Sequence, residues 1–288
     1  MKRNCLIFLL LSFSVCLFCN PKVHFSIDDV SNSLYDLTKN EKKYSSAFEQ
    51  PFFRYLKTLN DRYSIVVSLY CFYEHNGFTL ADCTDKFSKD FSENSSWLKF
   101  GYHAWNPNTT FIIDQKDMIV GGGGYEIFLK EIERITGSTK SITSTVRLDR
   151  FKGNKDEILQ SSYKFFDNGI STLLCADSKT RSSYFLSEIQ EGNLNILENI
   201  QVDGLYFHET DFRFDDYKNF EKLFSENVDE KEMIVFTHEW LLYVPTRKNI
   251  IKYFEALRES KKIKSNIETF FLYCLEKKLM FVSEFQEL

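Results

Sequence analysis

Two carboxylates stand side by side at Asp28-Asp29, directly after the apolar, β-type positions Val23, Phe25 and Ile27. An apolar strand that breaks into paired acids puts them at the C-terminal mouth of the strand, where β/α proteins build their sites. Adjacent acids repel, so one stays protonated or a cation holds both ionised. The chemistry that suits such a pair is metal-assisted hydrolysis. The same two acids could equally cap the helix that follows, because Asp is common at loop edges. Three of the five histidines also fall at the ends of apolar runs: His103, His208 and His238. In a parallel barrel such tips converge on one face, so residues distant in sequence become neighbours. Three histidines and an acid pair in equivalent positions fit one shared site better than coincidence. His24 and His75 read as structural or surface residues.

The elements that must position these groups follow in order. After Val30, the segment Ser46 to Tyr63 carries Phe48, Phe52, Phe53, Leu56 and Leu59 at helical spacing. Ile65 to Phe72 is a near-continuous β run of the kind buried on both faces. Trp97 to His103 is a third strand, Ser144 to Leu148 a fourth, Ile170 to Cys175 a fifth, Gly204 to Glu209 a sixth and Met233 to His238 a seventh. Helices are expected at Tyr125 to Thr136 (ended by Gly137), Lys155 to Phe166, Tyr217 to Glu226 and Arg247 to Ser260, with Ile267 to Phe285 closing the fold. Ser183 to Glu188 and Leu194 to Ile200 read as a strand pair or hairpin insertion. The recurrence of strand, polar tip and helix is the sequence form of a parallel β/α barrel or wound sheet. The run Gly121 to Gly124 is not followed by Gly-Lys-Ser/Thr and reads as a lead into the next helix rather than a phosphate cradle.

A chain of 288 residues can bury a large core, and its 43% hydrophobic and 27% charged content is that of a globular protein. Net charge is -5 with no basic block, which disfavours a nucleic-acid partner, since neutralising phosphates needs a clustered basic face. Met1 to Asn4 is basic and precedes an apolar run from Cys5 to Cys19, short for a membrane span. Residues 1–20 are therefore expected to be a signal peptide or N-terminal anchor, with Cys19 open to lipidation, ahead of one domain over 21–288. That places the protein outside the cytoplasm, periplasmic or on the cell surface, with membrane anchoring only through this segment. If the start codon is misassigned and the protein begins near Pro21, it is cytoplasmic. Outside the leader, Cys71, Cys83, Cys175 and Cys274 lack C-x-x-C spacing, so a zinc-thiolate site is not indicated.

Taken together, these motifs resemble the polysaccharide deacetylases of the carbohydrate esterase family 4 type. Ser26-Ile27-Asp28-Asp29 resembles their first motif, Gly101-Tyr102-His103 the second, Val146 to Phe151 the third and Val235-Phe236-Thr237-His238 the last. The resemblance implies a distorted seven-stranded parallel β/α barrel. It also implies a divalent metal, usually zinc, and removal of acyl groups from a carbohydrate substrate. Carried over, Asp28 is the general base, Asp29 and His103 are metal ligands, Arg147 orients the base and His238 is the general acid. The departures are Val30 for the usual glycine, no proline pair after the arginine, and Pro107 where a second metal histidine belongs. A third ligand must then come from His208, the first choice, or from Glu209, His238 or water. Trp105 and Trp240, with Tyr102, are expected to line the sugar site, since flat aromatic faces suit sugar rings. Trp97 fits core packing at least as well. Asp177 and Arg181 form a pair behind the site or a solvated ion pair. The rival class is a non-catalytic barrel that binds carbohydrate or a partner, motivated by Pro107.

Overall fold

The longest apolar runs became the central strands. In the computed structural model, which describes residues 21–110, 123–163, 168–177, 181, 183–227, 232–244 and 250–285, these strands are wholly buried along most of their length. The leader and Gly121-Gly122 lie outside those residues, as do positions 164–166 of the helix expected over Lys155 to Phe166 and positions 247–249 of the one expected over Arg247 to Ser260. The strands are β1 (Lys22–Val30), β2 (Val67–Phe72), β3 (Glu74–His75), β4 (Phe78–Thr79), β5 (Leu98–Ala104) and β6 (Thr145–Val146). They continue with β7 (Thr172–Leu174), β8 (Asn199–Val202), β9 (Leu205–His208), β10 (Phe212–Arg213), β11 (Glu232–His238) and β12 (Met280–Phe281).

One sheet runs β10-β11-β1-β2-β5 with β12 also against β1, and every pair in it is parallel. A second sheet runs β6-β7-β9-β8, parallel except for β8 against β9. The parallel α/β architecture is therefore as expected, but among the described residues there is no single closed seven-stranded sheet. The reason is local: β6 spans only two residues before the chain turns at Asp149–Phe151, and on that side β5 makes one isolated bridge, Phe100 to Ile142, to the chain just ahead of β6.

Helix Pro51–Tyr63 begins where proline costs nothing, with the Gln50 side chain accepting from the Phe52 and Phe53 amides at 2.7 and 3.1 Å. It buries Phe52, Phe53, Leu56 and Leu59, the positions its periodicity picks out. Helix Gly123–Thr136 ends as expected at Gly137, whose φ of +66° glycine adopts without the steric cost of a Cβ, and whose amide donates to the Glu133 carbonyl at 2.7 Å. Two expectations change. The Ser183 to Ile200 strand pair is instead a helix, Glu188–Leu197, followed by β8. A reciprocal capping box between Ser187 and Gln190 nucleates it, two orphan amide problems solved by two side chains. The last helix does not stop near Ser260 but runs Ile250–Lys277, because Ser260, Ile263, Ile267, Phe270, Phe271 and Cys274 keep one face buried and no proline or glycine interrupts. Much of the phenylalanine content is used here: Phe212, Phe214 and Phe224 each meet Phe270 edge to face between sheet and helix, and Phe220 packs against the same three rings.

Candidate active site

The adjacent acids reach one site because the strand beneath them is irregular. In a regular strand Asp28 and Asp29 would point to opposite faces. The β1–β2 register instead shifts between Ile27 and Val30, and Asp29 takes φ 61°. Aspartate tolerates this left-handed conformation better than most residues. Asp28 then turns inward and is almost fully buried, while Asp29 turns toward His103. Neither caps the helix that follows. That role belongs to Glu239, a buried carboxylate just past the end of the neighbouring strand β11. It accepts from the amides of Ser31, Asn32 and Ser33 at 3.2, 2.8 and 2.8 Å, and from the Ser33 hydroxyl at 2.5 Å.

His103 ends β5. Its Nδ1 lies 2.5 Å from the Arg147 carbonyl oxygen, so this nitrogen carries the proton and donates. Its Nε2 then faces Asp29 Oδ1 at 3.2 Å and Asp149 Oδ1 at 4.0 Å. Ligand atoms of Asp29, His103 and Asp149 all lie within 4.8 Å of one another. A backbone carbonyl holding one imidazole nitrogen while the other meets carboxylates is how histidine is presented to a metal ion. One nitrogen and two carboxylate oxygens are donors that zinc accepts. The donor set therefore fits a divalent cation. Burial opposes protonation of His103, but the Asp29 hydrogen bond and the charges of Asp28 and Asp29 outweigh it and raise the pKa. Asp29 is itself held below the usual carboxylate range: burial pushes up, and His103, His238 and the Trp240 indole pull down harder.

Arg147 lies beneath the acids, 1% exposed. Its Nη1 donates to the Ser26 hydroxyl at 2.7 Å and to Asp28 Oδ1 at 3.2 Å, and its Nη2 to the Thr210 hydroxyl at 3.1 Å. The guanidinium carbon sits 4.0 Å from the Phe236 ring centroid. Burial raises the Asp28 pKa more than Arg147, His103 and His238 lower it. Across the mouth, His238 pairs in register with Asp28 and its Nδ1 hydrogen-bonds Asp215, which also accepts from the Thr237 hydroxyl at 2.9 Å. Burial opposes the charge on His238, but Asp215, Asp28 and Asp29 lift its pKa to about 9. Asp28, His103, Arg147, Asp149 and His238 border one cavity of about 150 Å³.

Of the other residues singled out by sequence, Trp240 is at the site: its indole N–H donates to Asp29 Oδ2 at 3.2 Å and the ring is 44% exposed. Tyr102 is not available to substrate. It is 1% exposed, wedged edge-on between Tyr125 and Phe128, with its hydroxyl donating to the Thr110 carbonyl at 2.5 Å. Trp105 stacks on Tyr73 at 3.9 Å, and Trp97 is core, as its surroundings implied. His208 does not join Asp29 and His103: it stacks on Phe285 at 4.5 Å, and Phe285 in turn meets His24, four residues below Asp28 on β1. His208 and Glu209 line a separate cavity of about 320 Å³. The third donor is Asp149, from the loop after β6. Sequence reasoning also passed over Asp215 and Glu239. Asp149 had a signal: it stands two residues after Arg147 in the third motif, at the point where the expected proline is missing.

No family model matches the chain, and no curated protein does. Among solved structures it is similar to a proposed polysaccharide deacetylase of Bordetella bronchiseptica involved in O-antigen biosynthesis. Identity is 9%, 90% of this chain and 92% of that one are covered, and the TM-score is 0.43. It is similar too to the catalytic domain of a peptidoglycan N-acetylglucosamine deacetylase of Eubacterium rectale, at 11% identity, 93% and 92% coverage and TM-score 0.38. A third is the chitin deacetylase of the fungus Colletotrichum lindemuthianum, at 12% identity, 91% and 85% coverage and TM-score 0.38. At such scores the likeness is loose, and the chemistry is argued from the side chains.

Proposed function

We propose that this protein is a metal-dependent hydrolase that removes acyl groups, acetyl foremost, from a carbohydrate. The observation that carries this is that Asp28, His103, Asp149 and His238 border one cavity, with Asp29 completing the donor cluster of His103 and Asp149, and Asp215 hydrogen-bonded to His238. Asp29, His103 and Asp149 would hold the ion, zinc in this reading. When bound, a divalent ion there supplies Lewis-acid polarisation of an acyl carbonyl and a more acidic water.

The chain's own groups do the rest. Asp28 accepts the proton of the attacking water. A carboxyl pKa raised by burial lies closer to a neutral working pH and makes a better base, and Arg147 fixes which oxygen faces the cavity. His238 remains an imidazolium at neutral pH because Asp215 balances its charge, so it can protonate the departing amine or alkoxide. Trp240 offers an exposed indole face beside Asp29, suited to a sugar ring. Glu239 ties the tip of β1 to the tip of β11, and so base and acid to one frame. The finer architecture proposed is a distorted β/α barrel whose wall is interrupted beside β6.

The test is acetate release from acetylated chitooligosaccharides, with and without chelator. Turnover that chelation abolishes and zinc restores is expected. A protein that binds the oligosaccharide equally well with chelator, and never releases acetate, would be the non-catalytic binder instead.

A further inference from the structure

Arginine is concentrated at the rim of the catalytic cavity. Besides the buried Arg147, the cavity is bordered by Arg150, Arg181 and Arg213, with side chains 62%, 47% and 36% exposed. Two of these share one counter-charge. Asp177 Oδ1 lies 3.5 Å from Arg181 Nη1, and Asp177 Oδ2 lies 3.2 Å from Arg213 Nε. Asp177 is only 11% exposed, so the carboxylate sits behind the two guanidiniums and fans them toward the cavity. One carboxylate neutralises one guanidinium, which leaves the pair with a net positive charge. The Nε contact also leaves the terminal nitrogens of Arg213 without another side-chain partner among the described residues. Arg150 has only a long contact, 3.7 Å, with Asp149, an oxygen donor the metal cluster would claim.

The charge balance of the whole mouth points the same way. Asp28, Asp29, Asp149, Asp177 and Asp215 face four guanidiniums and the His238 imidazolium. A divalent ion among Asp29, His103 and Asp149 would tip this balance to a net positive field. A neutral acetylated sugar needs none of these guanidiniums, because hydroxyls and an aromatic wall recognise it. Arginine forks held by a shared carboxylate are the form in which proteins grip carboxylate and phosphate groups.

We propose that the acylated sugar carries an anionic group, a carboxylate or a phosphate, near the reacting acyl, and that Arg181 and Arg213, flanked by Arg150, bind it. This rests on the hydrolase reading only for the bond that is cleaved. The recognition itself is measured as binding.

The experiment titrates the full-length protein as purified with three sugars: the neutral N,N′-diacetylchitobiose, a glucuronic-acid disaccharide and a disaccharide phosphate. Both acidic sugars are expected to bind roughly tenfold tighter than N,N′-diacetylchitobiose, a preference that weakens as salt rises. Whichever of the two binds tighter identifies the group as carboxylate or phosphate. In Arg181→Ala/Arg213→Ala the preference falls toward parity, while Arg213→Lys keeps part of it and controls for folding. Equal binding of acidic and neutral sugars, binding of none, or a preference intact in the double variant overturns the proposal. Failure of every acetylated sugar to release acetate would instead overturn the hydrolase reading and leave this result standing.

Discussion

His103 and His208 both end a strand of a parallel sheet, and in sequence they look alike. In the structure they have opposite surroundings. His103 opens onto Asp29 and Asp149 at the mouth, and its pKa is raised. His208 stacks on Phe285, which also meets His24, and among the described residues neither ring forms an ion pair with a carboxylate. Burial, with the charge of Lys22, brings the His208 pKa down to about 4; burial, Arg147 and His208 bring that of His24 to about 3. The comparison teaches that carboxylates, more than position at a strand end, decide which histidines can do chemistry. The molecule has an acid-rich mouth where histidine pKa values rise and an aromatic floor where they fall.

The mouth is broken most severely through its base. Asp28→Asn keeps the hydrogen bond acceptor facing Arg147 but cannot take a proton, and turnover should fall roughly 10²- to 10⁴-fold, measured as acetate release. Next comes the pair across the cavity. Asp215→Asn removes the charge that does most to raise the His238 pKa to about 9, so the alkaline limb of the pH–rate profile should move to lower pH. The rate at neutral pH should drop on the order of 10²-fold with it. An unmoved alkaline limb would mean that His238 is not the acid.

Stability against pH sharpens the same contrast, with opposite signs at the two ends. His24 and His208 have folded-state values near 3 and 4, below the ordinary histidine value of about 6.5. Their contribution is complete above that ordinary value and is lost as the pH falls toward about 4 and then 3. His238, raised to about 9, contributes fully below the ordinary value and loses that contribution as the pH rises through 9. Thermal denaturation across pH should therefore show His208→Phe softening the acid limb and His238→Asn softening the alkaline one. Each group changes the slope by at most about 1.4 kcal/mol per pH unit. The smallest effect is expected at Tyr102→Phe, which removes one hydroxyl from a neutral hydrogen bond and should cost about 1 kcal/mol in denaturant unfolding, with no change in KM. A raised KM would return Tyr102 to the substrate site.

The strands of the central sheet were legible because runs such as Ile65 to Phe72 and Met233 to Phe236 are almost continuously apolar, as suits strands buried on both faces. Asp28, Asp29, His103, Arg147 and His238 were legible because each sits at or beside such a run. Asp149 and Asp215 were not, because they stand on turns where an aspartate is ordinary and only the folded chain shows what it faces. Glu239 was hidden for a related reason: its partners lie more than 200 residues earlier in the chain. His208 misled because strand-end position does not tell which way a side chain leans, and Phe285, its neighbour, comes from the far terminus. The Ser187 to Gln190 capping box was in plain view, and it turned an expected strand into a helix.

Titration calorimetry of zinc into chelator-treated protein tests the central claim most directly. The account predicts one ion per chain, with affinity lost at least tenfold in Asp149→Ala and kept in His208→Ala. No stoichiometric binding, or affinity that survives loss of Asp149 and falls with loss of His208, would contradict it.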